Sequence, residues 1–312
     1  MRALVTGATG FAGTYLVEAL QEAGHETFAC GGPHDTNALP IDLLDLSSLR
    51  AALELSSPDV VFHLAAVTFV PDATASPMAT YLTNVRGTAN VAQAVREYTK
   101  DTRNSVRLLF TSSAEVYGVQ PPQAYPLRES VAPSPANPYA ASKAAAEMLL
   151  LGEARSLGLD VVITRAFNHI GPGQSERFVV ANFASQLAKI AAGAQPQLYV
   201  GNLDAKRDFL DVRDVVRAYV ALARDASSGE IYNICSGTAR AIRDVLRELI
   251  VAAHVPVEVR DDPARARPSD VPLSLGDPAK LRAATGWSAQ IPFSASIRDI
   301  YQAAAKSQKL HG

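Results

Sequence analysis

The shortages in this 312-residue sequence narrow its possible roles first. It has two cysteines, Cys30 and Cys235, far apart and in apolar surroundings, so no disulfide framework is expected. Its six histidines form no HxxxH or Cys/His cluster, which argues against a bound zinc. Twenty-nine basic residues against 31 acidic ones leave a formal charge of -2, with no bulk attraction to nucleic acid or an anionic membrane. No apolar run reaches the ~18 residues that mark a spanning helix. The opening MRALVTGATG has a short apolar run that stops at glycines, without the cleavage site of a secretory signal. The expectation is a cytoplasmic globular protein with neither a nucleic-acid nor a membrane partner.

What is present is a rhythm. Short apolar runs alternate with helix-length segments: strands at Arg2 to Thr6, His25 to Cys30, Asp59 to Leu64, Val106 to Thr111 and Asp160 to Arg165. Between them the pattern predicts helices at Thr14 to Ala23, Leu46 to Leu55, Met78 to Tyr98 and Tyr139 to Ser156. Strands and helices alternating in this way indicate βαβ units, an α/β fold with a doubly wound parallel sheet. Any ligand should then lie at the carboxyl ends of the strands. Past residue 170 the rhythm loosens, with helices expected at Phe178 to Ala192 and Val212 to Arg224, a strand at Gln197 to Val200, and scattered prolines. The reading is a dinucleotide-binding domain over 1–170, to which later segments return, and a smaller α/β substrate domain over 171–312. The six prolines in Pro121 to Pro138 predict a loop beside the active site.

Two constellations carry chemistry. Gly7, Gly10 and Gly13, with Phe11 and Ala12 between them, follow the first strand and open the first helix. Glycines there allow a tight turn and close approach of a pyrophosphate to backbone N–H groups at a helix N-terminus. Tyr139 and Lys143 stand four apart, on one face of a helix. A neighbouring ammonium would lower the phenol pKa and let Tyr139 exchange a proton with a substrate oxygen near neutral pH. Taken alone, such a pair can equally be a tyrosine packed over a lysine stem. Ser113, in a strand-ending TSSAEVYG segment, would offer a hydroxyl to the same oxygen.

The glycine turn, Ser113 and the Tyr139/Lys143 pair together resemble the extended short-chain dehydrogenases that act on nucleotide sugars. The resemblance runs nearly end to end. It implies a Rossmann-type sheet, Ser113, Tyr139 and Lys143 as the catalytic group, and a homodimer formed through a four-helix bundle. It implies cofactor contacts from Asp42 and Leu43 to the adenine and from Leu64, Ala65 and Ala66 beside His63, which is as readily strand-end packing as a ligand contact. It likewise implies substrate contacts from Ser113, Glu115, Asn168, Asn182, Arg207, Arg267 and Asp270; Arg265 fits a solvated loop at least as well. The VGNLDAKRDF segment from Val200 resembles GDP-mannose 4,6-dehydratases and their partner reductases, which implies a GDP-linked 4-keto-6-deoxy sugar as substrate. Dehydratases of that group carry a polar residue before the strand-end glutamate, whereas here Ala114 precedes Glu115, a departure that favours reduction. A dehydratase remains the nearest alternative. A silent dinucleotide sensor is the remote one, because such a protein would be expected to lose the tyrosine or the lysine.

At Cys30-Gly31-Gly32 the second strand ends without an acid for an NAD ribose or an arginine for a 2′-phosphate. Asp35, further along, is a partial substitute. The expected cofactor is NADP(H), with NAD(H) tolerated.

Overall fold

The computed structural model describes residues 1–265 and 271–311. The strands are β1 (Arg2–Thr6), β2 (Glu26–Gly31), β3 (Leu39–Pro40), β4 (Val60–His63), β5 (Arg107–Ser113), β6 (Val161–Ala166), β7 (Asn168–Ile170), β8 (Gln197–Val200), β9 (Lys206–Asp211), β10 (Glu230–Ile234), β11 (Ala239–Ala241), β12 (Glu258–Asp261) and β13 (Leu273–Ser274). The helices are α1 (Phe11–Glu22), α2 (Leu46–Ser56), α3 (Val70–Ala75), α4 (Pro77–Tyr81), α5 (Gly87–Thr102), α6 (Pro138–Leu157), α7 (Val179–Ala191), α8 (Val212–Asp225), α9 (Ile242–Ala253), α10 (Ala279–Thr285) and α11 (Phe293–His311).

A seven-stranded sheet runs β3-β2-β1-β4-β5-β6-β10, every neighbouring pair parallel. Its central strands read as continuous apolar runs because both faces are covered. On one face Leu16 and Leu20 of α1 meet Val215, Tyr219 and Leu222 of α8 and Leu281 of α10. On the other, Leu49 and Leu53 of α2 pack with Val91 and Val95 of α5 and Leu150 of α6. The strand order reverses between β1 and β4, which opens a crevice at their carboxyl ends.

A second lobe gathers around β9, which pairs with β7, β11 and β13, and around the β8–β12 pair. Its own core joins Phe183 and Leu187 of α7, Leu246 and Leu249 of α9, and Ile297 and Ile300 of α11. The chain crosses between lobes repeatedly, since α8, β10 and α10 return to the large sheet after β7 to β9 have built the small one.

Several local expectations change. The helix expected from Met78 to Tyr98 is broken into α4, a π-helical turn at Leu82–Arg86, and α5. The turn carries buried Asn84, whose amide accepts from Val67 N (2.8 Å) and donates to Val67 O and Ser142 Oγ (both 2.9 Å). Asn84 therefore fastens this turn to α6. The first helix begins at Phe11 rather than Thr14, so its opening amides belong to the glycine turn itself. The proline-rich segment is irregular apart from a short turn at Pro122–Ala124, and Leu127 N donates to Leu275 O (2.8 Å).

Candidate active site

The glycine turn is built for close approach. Gly7 has φ 71°, and a Cβ there would meet the Ala65 backbone N at 2.7 Å. A Cβ on Gly13 would strike the Gly7 carbonyl oxygen. Gly10 caps α1 with no side chain, and no acid occupies the first turn. The helix thus presents bare N–H groups and its positive dipole end to the crevice, the donor set a dinucleotide pyrophosphate needs. The residues fit such a group.

Below this turn lies a cleft of about 390 Å³. Gly7, Gly10 to Gly13, Leu64, Ala65 and Ala66 line one side, and Ser113, Ala114, Glu115, Tyr139 and Lys143 the floor. Asn168 reaches it from the second lobe.

Two local devices hold the floor. β5 runs on to Ser113, which caps a short 3₁₀ turn at Ala114–Tyr117 by accepting from Glu115 N (3.2 Å). Asn137 caps α6 by accepting from Ala140 N (2.8 Å), and Pro138 opens the helix with its φ already set, so Tyr139 falls in the first turn. The Asn137 amide also donates to Glu115 Oε2 at 3.4 Å, linking the two devices.

The electrostatics correct one expectation. The Tyr139 phenol is not made more acidic; burial pushes it up to about 12, the Glu115 carboxylate adds to the rise, and a Ser113 hydrogen bond opposes both. The Lys143 amine finds its partner elsewhere, donating to Thr111 O at 2.7 Å and lying 4.8 Å from the centre of the Phe110 ring. Burial pulls Lys143 down to about 7, against the pull of the Glu147 carboxylate one turn along the helix. Spacing alone placed the pair on one face but said nothing of what the amine would bond.

Glu147 is itself fully buried. Arg165 grips it from β6 through Nη2 at 2.7 Å and Nε at 3.0 Å, and Ser112 Oγ donates to it at 2.5 Å. The Arg165 guanidinium lies 4.7 Å from the centre of the Tyr117 ring. His63 has both ring nitrogens within bonding distance of hydroxyls, Thr6 at 2.7 Å and Thr88 at 3.0 Å, and burial lowers its pKa to about 3. It is strand-end packing.

Other expected contacts lie elsewhere. Asp42 Oδ1 accepts from Leu44 N (2.8 Å), and the Leu43 carbonyl accepts from Asn90, both away from the cleft lining. Asn182, on α7, accepts from Arg265 Nη1 at 2.7 Å, so the loop arginine that looked merely solvated meets an expected substrate residue. Arg207 is directed at the carbonyls of Lys206 and Val271 rather than lining the cleft. Arg267 and Asp270 lie outside the described residues.

Sequence reasoning missed several walls. His169 stacks on Phe11 with 6.0 Å between ring centres and 5° between planes, and behind the cleft lining Tyr15 Oη donates to Pro172 O (2.9 Å). Tyr219 reaches the cleft from α8, with its hydroxyl hydrogen-bonded to Thr164. At the mouth Phe69 meets Phe178 edge-on at 5.7 Å, while Arg177 pairs with Asp72. These are contacts between distant segments, with no local pattern to mark them. The adjacency of His169 to Asn168 was the one available hint.

The arrangement can hold a dinucleotide along the glycine turn and present a buried, protonated phenol to an oxygen beside it. Known proteins fit that geometry. A solved structure of RMD from Pseudomonas aeruginosa complexed with NADPH superposes with TM-score 0.88 at 38% identity, covering 98% of this chain and 100% of the other. UDP-glucose 4-epimerase of Thermus thermophilus, in complex with NAD, gives 0.86 at 31% identity, covering 97% and 99%. The curated GDP-6-deoxy-D-mannose reductase of Pseudomonas aeruginosa is 40% identical over 304 residues, 96% of this chain and 95% of the relative. The family model described as GDP-mannose 4,6 dehydratase matches residues 31–300. With that span covering most of both lobes, the chain belongs to the GDP-mannose 4,6 dehydratase family.

Proposed function

We propose that this protein, a nicotinamide-dependent oxidoreductase, reduces the 4-keto group of GDP-4-keto-6-deoxy-D-mannose to give GDP-D-rhamnose. The observation that carries this reading is the Ser113–Tyr139 pair in a cleft where Ala114 adds only a methyl group. The extent of the likeness to the reductase relative supports it.

Bound NADPH, or NADH in its place, supplies the hydride to carbon 4. Tyr139 donates its proton to the oxygen that becomes an alkoxide. A phenol held near 12 is still protonated at neutral pH, which is the form a reductase needs. The Ser113 hydroxyl bonds the same oxygen and sets its position. Lys143, anchored on the Thr111 carbonyl, holds the cofactor ribose beside Tyr139. Asn168 is assigned to the sugar, and Asn182, Arg265, Arg207, Arg267 and Asp270 are assigned to the nucleotide. The first 170 residues chiefly serve the cofactor and the remainder chiefly the GDP.

Dehydration has in its favour the family model that matches the chain and the carboxylate of Glu115 in the cleft. It would have to remove the carbon-5 proton and also assist loss of the carbon-6 hydroxyl, since Ala114 offers no second polar group. Reduction requires neither step.

The protein acts in the cytoplasm as a homodimer, pairing α5 and α6 with their copies. Among the described residues no helix is long and apolar enough to cross a membrane. Exposed Met148 of α6 and Met78 of α4 are apolar side chains suited to such an interface.

Purified protein given GDP-4-keto-6-deoxy-D-mannose should consume reduced cofactor mole for mole and leave GDP-mannose untouched. A keto sugar formed from GDP-mannose, with dinucleotide retained through purification, would establish the dehydratase instead.

A further inference from the structure

In sheets of this topology the end of the second strand faces the adenosine ribose, where an acidic side chain accepts the 2′-hydroxyl of NAD and an arginine accommodates a 2′-phosphate. Here β2 ends at Gly31, which has no side chain to offer. The space is nevertheless filled. A Cβ built on Gly31 would collide with the Oδ2, Cβ and Cγ atoms of Asp35.

The chain reaches this position by a tight turn. Asp35 N donates to Gly32 O (3.0 Å), and Ile41 N donates to Gly31 O (3.1 Å) as β3 joins the sheet. Asn37 N then donates to Asp35 Oδ1 (2.9 Å), and the Thr9 hydroxyl, in the glycine turn, bonds the same carboxylate. An acid from four residues downstream thus lies over Gly31 and against the turn that holds the pyrophosphate. The bonds from Asn37 and Thr9 keep the carboxyl below its ordinary pKa, so it is ionised at neutral pH.

The flanking chain offers a phosphate little. No lysine or arginine occurs between Arg2 and Arg50, and His34 is the one basic residue on the turn from Gly31 to Pro40.

We propose that Asp35 reads the 2′ position of the cofactor's adenosine ribose, its carboxylate accepting the 2′-hydroxyl of NADH and opposing the 2′-phosphate of NADPH. Asp35 is then the specificity residue that keeps NADH usable beside NADPH. The assignment rests on the dinucleotide site described above, and it needs the glycine at position 31, where any side chain would displace the carboxylate.

The test measures dissociation constants of NADH and NADPH by calorimetry for the wild type and for Asp35→Asn. Asparagine keeps an acceptor for Asn37 N and removes the charge. The ratio of the two constants should move toward NADPH by about tenfold or more, the scale of one charged hydrogen bond replaced and one repulsion lifted. In the wild type, 2′-deoxy-NADH should bind about tenfold more weakly than NADH, a measurement that needs no variant. A ratio unmoved within about twofold, equal changes for both cofactors, or equal binding of NADH and its 2′-deoxy analogue would each overturn the assignment. Binding of neither cofactor to the wild type would remove the dinucleotide reading itself, and the assignment with it.

Discussion

Replacing Arg165 by methionine strands the Glu147 carboxylate inside the protein. Glu147 is 0% exposed and the Arg165 side chain 2%, so water cannot replace the lost partner. Of the side chains among the described residues that donate to this carboxylate, Ser112 alone would remain. Breaking a buried ion pair from one side costs about 3–5 kcal/mol. With an unfolding entropy of roughly 2.1 cal/mol/K per residue, the whole chain loses about 0.65 kcal/mol for each degree. The single substitution should therefore lower the midpoint of thermal unfolding by about 5–8 °C. The double variant Glu147→Leu/Arg165→Met should recover most of that loss, because two apolar side chains of similar volume leave no charge unpaired. Scanning calorimetry of ligand-free wild type and both variants reads the difference. A single-variant shift under about 2 °C, or a double variant no more stable than the single, would refute the burial argument.

Two further outcomes follow from the site. Tyr139→Phe should cut turnover by about 10²–10⁴-fold while leaving cofactor affinity nearly intact; rates near wild type would remove Tyr139 as proton donor. Lys143→Met tests the buried amine through stability. A base whose pKa falls from 10.5 unfolded to about 7 folded destabilises most below pH 7, and the cost shrinks as pH rises toward the unfolded value. The methionine variant should be more stable than wild type near pH 6, with its advantage declining by about 1.4 kcal/mol per pH unit above 7. A gap independent of pH would show that the amine titrates normally.

The first half of the fold was legible because buried parallel strands are continuous apolar runs with glycine turns at their ends, and these signals are local. In the second half α7, α8 and β8 were legible too, but the remaining strands were not, for reasons visible in their sequences. β9 is KRDFLD and β12 is EVRD, polar segments held by pairing with partners far along the chain. β10 was hidden for the same reason: its place beside β6 depends on a return from the second lobe. No periodicity announces the π-helical turn at Leu82–Arg86, which is fixed by Asn84 reaching Val67 and Ser142. At the site, spacing placed Tyr139 and Lys143 on one face of α6. Burial, with a smaller contribution from the Glu115 carboxylate, reverses the direction expected for the phenol, while the Thr111 carbonyl takes up the amine.

The repeated crossing between lobes has a consequence for anyone wishing to recombine members of this family. A chimera joined at residue 170 would take its dinucleotide sheet from one parent and β10, α8 and α10 from the other. The edge strand and most of one face of that sheet would then come from a sequence that never packed against it. The buried Tyr117–Asn233 hydrogen bond at 2.7 Å would span the junction between parents, as would the bond from the Tyr15 hydroxyl to the Pro172 carbonyl. A graft that changes nucleotide preference must therefore exchange the small lobe as several separate segments and leave α8 and β10 with their native sheet. Modularity in this protein is a property of surfaces in space, and no single cut in the chain reproduces it.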